Sequence, residues 1–304
     1  MTGTRVIALS GRYDLGRSLR TLALGDDPTA RVGGTDAWWA TRTPDGPATL
    51  HLRHDGDRLA ARAWGVGAGW VLDRADAVAG LRDDPADFAD VARRHPVVAR
   101  VTRDLGGVRL PATGRAFQAT VPMILQQKVT GLEAKRSHTA LVRALGEPAP
   151  GPAGDLPPGL LLPPVPAALA ATPYWAFHPW GVEQKRADTV RRAAAAAAAI
   201  DRAADATATT RRLTSIPGIG PWTAAETVRV AFGDPDVVTV GDYHLPHLVT
   251  WALAGEPRGT DERMLELLAP FAGHRGRVVT LLGLAGLGAP RFGPRMPIRS
   301  FARF

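Results

Sequence analysis

Apolar and polar residues alternate in three short runs near the N-terminus: Ala37–Thr43, Ala48–Arg53 and Leu59–Trp64. Alternation places every second side chain on one face, which predicts half-buried strands. Pro44-Asp45-Gly46 and Asp55-Gly56-Asp57 separate the runs, and such sequences close tight hairpin turns. A β-branched opening run, Arg5–Leu9, and a helix over Leu15–Leu24 complete a small antiparallel sheet domain over residues 1–84. Leu15, Leu19, Leu22 and Ala23 share one face of that helix. Trp38, Trp39 and Trp64 fall inside the strands. Aromatics there pack a sheet, although each also has the shape of a base-stacking platform.

From residue 85 the apolar period lengthens to three or four, and the chain reads as helices. They are expected over Pro85–His95, Pro96–Leu105, Ala116–Lys128, Leu132–Leu145, Pro166–Ala171, Glu183–Ile200, Tyr243–Ala254, Thr260–Leu268 and Arg275–Leu284. Residues 147–166 are rich in proline and glycine and read as a surface linker without regular structure. Thr172–Trp180 is an aromatic loop. The fold class is therefore α+β, an antiparallel sheet domain followed by an all-α core over residues 85–290. The tail, 291–304, carries Arg291, Arg295, Arg299 and Arg303 with Pro294 and Pro297 between them. The prolines argue against a helix there and for a loose basic arm.

Composition narrows the partner. The 304 residues are 45% hydrophobic and 22% charged, ordinary for a globular chain. No run approaches the roughly 20 apolar residues of a membrane span, and the N-terminus lacks a signal-peptide pattern. A cytoplasmic protein with no membrane partner is expected. Net charge is +8, nearly all of the basic side chains are arginine, and the sequence pI is about 10.8. Such a balance favours a polyanion. The absence of cysteine excludes disulfides, thiolate zinc sites and cysteine-held iron–sulfur clusters. His244 and His247 lack a third ligand at readable spacing, so no metal site is expected from them.

One stretch carries candidate chemistry: Leu213–Ala225, LTSIPGIGPWTAA. Pro217 ends one helix, Gly218 and Gly220 open a tight turn, and Pro221 suits the first turn of the next. The hairpin, over residues 207–232, leaves backbone amides from Gly218 through Ile219, Gly220 and Trp222 to Thr223 near a helix N-terminus. Amides so placed, with the helix dipole behind them, bind phosphate. A plain helix–helix corner is the simpler alternative.

Ile216-Pro217-Gly218-Ile219-Gly220-Pro221-Trp222-Thr223-Ala224-Ala225 resembles the hairpin of the helix-hairpin-helix DNA glycosylases. Among these, the likeness is nearest to the inducible 3-methyladenine glycosylase family and runs over nearly the whole chain. The resemblance implies a base-excision enzyme that flips a damaged base, expected to be an alkylated purine, out of double-stranded DNA. It places the catalytic carboxylate at Asp242, which is also a plausible cap for the following helix. It places Gln126, Gln127 and Lys128, after Ile124-Leu125, at the site where DNA is entered opposite the lesion. Helix-end amides satisfying carbonyls would look the same. Trp222 stands where bifunctional relatives carry a Schiff-base lysine, which implies hydrolysis without strand cleavage. Trp222, Glu226 and Tyr243 are the expected base-pocket residues, with Glu226 either facing a cationic base or pairing with Arg229. No cofactor is required. A structural monovalent cation at the carbonyls of Thr214, Ile216 and Ile219 is the one ion the resemblance admits. A monomer associated with the nucleoid is expected. A non-catalytic hairpin DNA-binding or scaffolding protein, or a glycosylase for deaminated purines, remains the alternative.

Overall fold

The computed structural model of the chain describes residues 2–288. The basic arm expected over 291–304 lies outside the described residues.

Five strands form one antiparallel sheet: β1 (Thr2–Ala8), β2 (Ala30–Val32), β3 (Asp36–Thr43), β4 (Gly46–Asp55) and β5 (Arg58–Trp64), in the order β1-β5-β4-β3-β2. Register follows the alternation. Trp39 faces Leu50 and Leu50 faces Ala63, so one apolar stripe crosses three strands. The helix expected over Leu15–Leu24 is a short α-helix, Leu15–Ser18, continued as a 3₁₀ turn, Leu19–Leu22. Leu15 and Leu19 nevertheless sit fully buried against Trp39 and Leu50, as the shared face requires. β2 is too short to show a period in the sequence.

The proline-rich stretch is more ordered than its composition predicts. Glu147–Pro148 and Leu161–Leu162 pair as a two-stranded ladder. Leu156, Leu160 and Leu162 then cover Trp38 and Trp64 on the outer face of the sheet. Leu161 N–H donates to Pro28 O at 2.7 Å, and Arg42 Nε to Pro163 O at 2.7 Å. The tryptophans thus serve packing. Trp38 stacks flat on His51 at 3.8 Å between centroids, Trp38 and Trp64 offer no free face for a base, and Trp39 is buried in the core of the sheet domain.

The helices pack in two large clusters and a small third one of Ala119, Met123 and Val230. The first gathers Phe117 and Ile124 of the Ala116–Leu125 helix with Leu141, Phe177, Val190 and Leu213. Ile216 and Ile219, the apolar residues of the glycine hairpin, are buried in this same cluster. Each such burial contributes about 1.5–3 kcal/mol, so the turn is anchored from inside while Pro217, Gly218 and Gly220 stay exposed. The second cluster joins Phe88 and Val98 to Val249, Met264, Phe271 and Val278, and Val238 and Val240 pack against it.

Several helices differ at their ends from the expected spans. Ala116–Leu125 stops three residues early. Arg186, only 2% exposed, donates to the Leu125 carbonyl at 2.7 Å and satisfies the helix end there. The alanine-rich helix breaks at Ala196 into Gln184–Ala195 and Ala197–Asp201. The helix after Asp242 runs Leu245–Ala254, and the 85–95 region shortens to Phe88–Ala92. Among the described residues no helix is long and apolar enough to cross a membrane.

Candidate active site behind the glycine hairpin

The hairpin is Ala206–Thr214, a six-residue turn over 215–220 and Pro221–Phe232. Asp205 caps the first helix through Ala208 N–H at 2.7 Å. Ile219 N–H returns to Ile216 O at 3.0 Å, which closes the turn. Gly218 has φ +98°, and a Cβ there would meet Thr189 Oγ1 at 2.1 Å. Backbone conformation and contact both require glycine. Gly220 is different. Its φ of −99° suits any residue, and nothing lies within 4 Å of a Cβ added to it. It caps the second helix without a side chain. The amides of Trp222 and Thr223 therefore have no earlier helical carbonyl and no capping side chain, and they sit at the positive end of the helix dipole.

Asp242 lies just beyond the far end of this pair. The 234–242 segment is fixed at several points. Asp234 accepts from Asp236 N–H at 2.8 Å. Asp236 receives Arg275 Nε at 2.8 Å and Nη2 at 2.5 Å. Arg277 N–H reaches Pro235 O at 2.8 Å, and Gly241 N–H reaches Asp261 Oδ2 at 2.7 Å. A Cβ at Gly276 would stand 2.4 Å from Val237 O, so glycine lets this helix approach the segment.

Asp242 itself is half-buried and held by three donors. Oδ1 accepts from the backbone N–H of His244 at 2.7 Å and Leu245 at 2.9 Å, which is the expected capping role. Oδ2 accepts from Trp222 Nε1 at 2.8 Å. An ionised carboxyl oxygen has about two acceptor sites, so Oδ2 keeps one for another donor. The indole thus brings the hairpin and the carboxylate together, a contact not legible from the resemblance. Tyr243, next in the chain, is 80% exposed and stands edge-on to His244 and His247.

Glu226 shares the Trp222 face of its helix, as the spacing of four predicts, but its carboxylate is committed. Arg229 Nη2 donates to Oε2 at 2.5 Å, and Thr239 Oγ1 donates to Oε1 at 2.6 Å. The pairing with Arg229 is the alternative the structure takes, and a free carboxylate turned toward a base is not what it shows. Burial pushes the Glu226 carboxyl up, yet the Arg229 charge and the two hydrogen bonds outweigh it and hold it below its ordinary value. Glu226 braces Thr239, three residues before Asp242. The sequence held a signal for this in the i, i+3 spacing of Glu226 and Arg229. Nothing in the sequence marked Thr239.

Gln126, Gln127 and Lys128 form the turn after the Ala116–Leu125 helix, and each does something different. Gln126 Nε2 folds back onto Pro122 O at 3.2 Å. Gln127 Nε2 reaches across to the hairpin, donating to Gly218 O at 3.0 Å and Thr223 Oγ1 at 2.8 Å. Lys128 is exposed and has φ +55°, the one non-glycine residue with positive φ among the described residues. Such a conformation costs a long side chain of order 1–3 kcal/mol and recurs at functional positions.

A cavity of about 560 Å³ lies between the sheet and the helical core, lined in part by Trp39, Gln118, Met123, His138 and Val230. Asp242, Trp222 and Glu226 do not line it. Trp222 instead packs against Ala119, Met123 and Val230, which form the wall between the two. Within the described residues no group of three or more histidine, aspartate or glutamate side chains could hold a metal ion.

No protein-family model and no curated protein matches the sequence. Solved structures do match the fold. The 3-methyladenine DNA glycosylase from Archaeoglobus fulgidus superposes with a TM-score of 0.76 at 17% identity, over 92% of this chain and 97% of that one. The 8-oxoguanine glycosylase/lyase of Clostridium acetobutylicum, solved with double-stranded DNA containing cytosine opposite 8-oxoguanine, superposes with a TM-score of 0.69 at 11% identity, over 94% and 98%. The 3-methyladenine DNA glycosylase of Schizosaccharomyces pombe, solved with abasic DNA, covers 64% of this chain and 94% of its own at 14% identity, with a TM-score of 0.52. The chain has the fold these glycosylases share.

Proposed function

We propose that this chain is a DNA glycosylase of base-excision repair that acts as a monomer on double-stranded DNA containing a damaged base. The observation that carries the reading is Asp242, a carboxylate fixed by three hydrogen bonds, one of them from the hairpin tryptophan. Capping accounts for Oδ1 alone; it does not call for Oδ2 to be oriented by the hairpin tryptophan with an acceptor site to spare.

The hairpin amides of Gly220, Trp222 and Thr223 take a phosphate of the lesion strand. The carbonyls of Thr214, Ile216 and Ile219 would hold a monovalent cation, a reading supported at Ile216, whose oxygen accepts the Ile219 amide and retains a second lone pair. Such an ion would add positive charge behind that phosphate. Flipping costs a few kcal/mol, least for a damaged base, and the emptied space needs a filler. Lys128 is the residue free to enter it, because the amides of Gln126 and Gln127 are engaged elsewhere.

Chemistry follows at the flipped nucleotide. The bond from the sugar C1′ to the base nitrogen breaks, and its electron pair leaves with the base. Asp242 stabilises the positive charge developing on the sugar. Water adds its oxygen to C1′, and its proton passes to the Asp242 carboxylate. Trp222 offers no amine, so no Schiff base forms and the strand stays intact. Tyr243, exposed beside Asp242, supplies a stacking face for an alkylated purine.

A base-release assay on alkylated duplex DNA tests the reading. Free base and an abasic site cleaved only after heat or alkali are expected. Release of deaminated purines alone would reassign the lesion. Binding with no release from either substrate would favour the scaffolding alternative.

A further inference from the structure

The Gln127 amide joins two elements that lie far apart in sequence. Its nitrogen donates to Gly218 O at 3.0 Å and to Thr223 Oγ1 at 2.8 Å. A side-chain amide has two protons to give, and both are used. Gly218 and Thr223 bracket the hairpin turn, and Gln127 directly precedes the strained Lys128. The Gln184–Ala195 helix braces the same two elements from behind. Arg186 holds the Leu125 carbonyl at 2.7 Å, and Arg192 Nε holds Pro217 O at 3.0 Å. Gln127 closes the third side of this triangle on the exposed edge.

We infer that Gln127 is a positioning residue that couples the hairpin's hold on the DNA backbone to the turn carrying Lys128. The inference rests on the DNA-acting reading above. An amide committed twice to the hairpin is not the group that fills the stack. Its work is to fix where the next residue stands once the hairpin has gripped a phosphate. Without that tie the turn at Lys128 can relax from its left-handed conformation, and the lysine tip moves.

Two variants test this. Gln127→Glu keeps the length of the side chain and loses the donor to Gly218, whereas Gln127→Ala loses both. Gln127→Ala is expected to bind undamaged duplex within about twofold of wild type, since phosphate contacts set that affinity, whereas Gln127→Glu, which sets a carboxylate beside the hairpin's phosphate site, is expected to bind it more weakly and is compared at saturating DNA. Each should slow flipping, followed with a fluorescent base analogue, and single-turnover base release by about tenfold to a hundredfold, the scale of misplacing a reacting group. Hydrogen exchange should show DNA protecting residues 216–223 in all three proteins but residues 126–130 in wild type alone. Adding Lys128→Ala to Gln127→Ala should cost little beyond either change. A Gln127→Glu protein that matches wild type, or one whose 126–130 amides are still protected by DNA, overturns the coupling. Additive losses with Lys128→Ala overturn it too. Wild type that shows the spread of protection yet releases no base would sink the glycosylase reading and leave the coupling standing. Wild type that binds no DNA would sink both.

Discussion

Trp222 does two jobs at the residue scale. Its ring packs against Met123 and Val230, and its N–H orients Asp242. Trp222→Phe keeps the ring and removes the donor. A hydrogen bond to a charged group contributes about 1.5–3 kcal/mol, so single-turnover base release should fall by roughly 10–100-fold with DNA affinity unchanged. Wild-type rates in this variant would show that the indole only packs. Glu226 gives a second prediction. Its folded carboxyl lies below its ordinary value of 4.5, so its stabilising contribution is present above that pH and is lost as pH falls through the folded value. Thermal melts should therefore show a loss of stability on acidification below about 4.5. Glu226→Gln should flatten that acid limb and leave Arg229 short of a partner, at a cost of about 1–3 kcal/mol at neutral pH. Because the pair with Arg229 neutralises Glu226, release of cationic and neutral bases should be affected equally. A selective loss for cationic alkylpurines would return Glu226 to the base pocket.

Elements show which parts of this chain were legible. The glycine hairpin was readable because proline and glycine act locally, at the residues where the chain must turn. The strands β3, β4 and β5 were readable within two residues at each end, since one buried face imposes a strict alternation. Residues 147–166 were not, because composition reports backbone preference and says nothing of a tertiary surface waiting for leucines. Trp38 and Trp64 supply that surface, and the segment orders on it. The end of the Ala116–Leu125 helix was misjudged for a related reason. Its stop depends on Arg186, 61 residues away, and no local signal announces it. The two hairpin glycines yield a contrast that tests the element. Gly218→Ala forces a Cβ onto Thr189 at φ +98° and should lower the melting temperature markedly. Gly220→Ala meets nothing in the protein, so stability should hold while the added methyl blocks the DNA backbone and weakens binding. Equal melting temperatures for the two, or unimpaired binding by Gly220→Ala, would contradict the hairpin's assigned role.

Across the whole molecule, the parts of the site come from distant stretches brought together by packing. The hairpin rests on the first helical cluster, and the segment leading to Asp242 rests on the second. Arg277 and Asp83 form a buried pair that ties the last described helix to the chain before residue 85. The net charge of +8 sets the long-range behaviour. Binding should weaken with salt, each neutralised phosphate adding about −0.9 to the slope of log K against log salt, and should vary little with sequence around the lesion. A flat response in a titration would argue against phosphate contacts as the main source of affinity. The central claim concerns Asp242, and one comparison tests it most directly: single-turnover base release from alkylated duplex DNA by wild type and by Asp242→Asn, with DNA affinity measured alongside. The account predicts unchanged affinity and a rate lower by roughly 10²–10³, the scale for losing one electrostatic stabiliser. Base release at the wild-type rate by Asp242→Asn would contradict it.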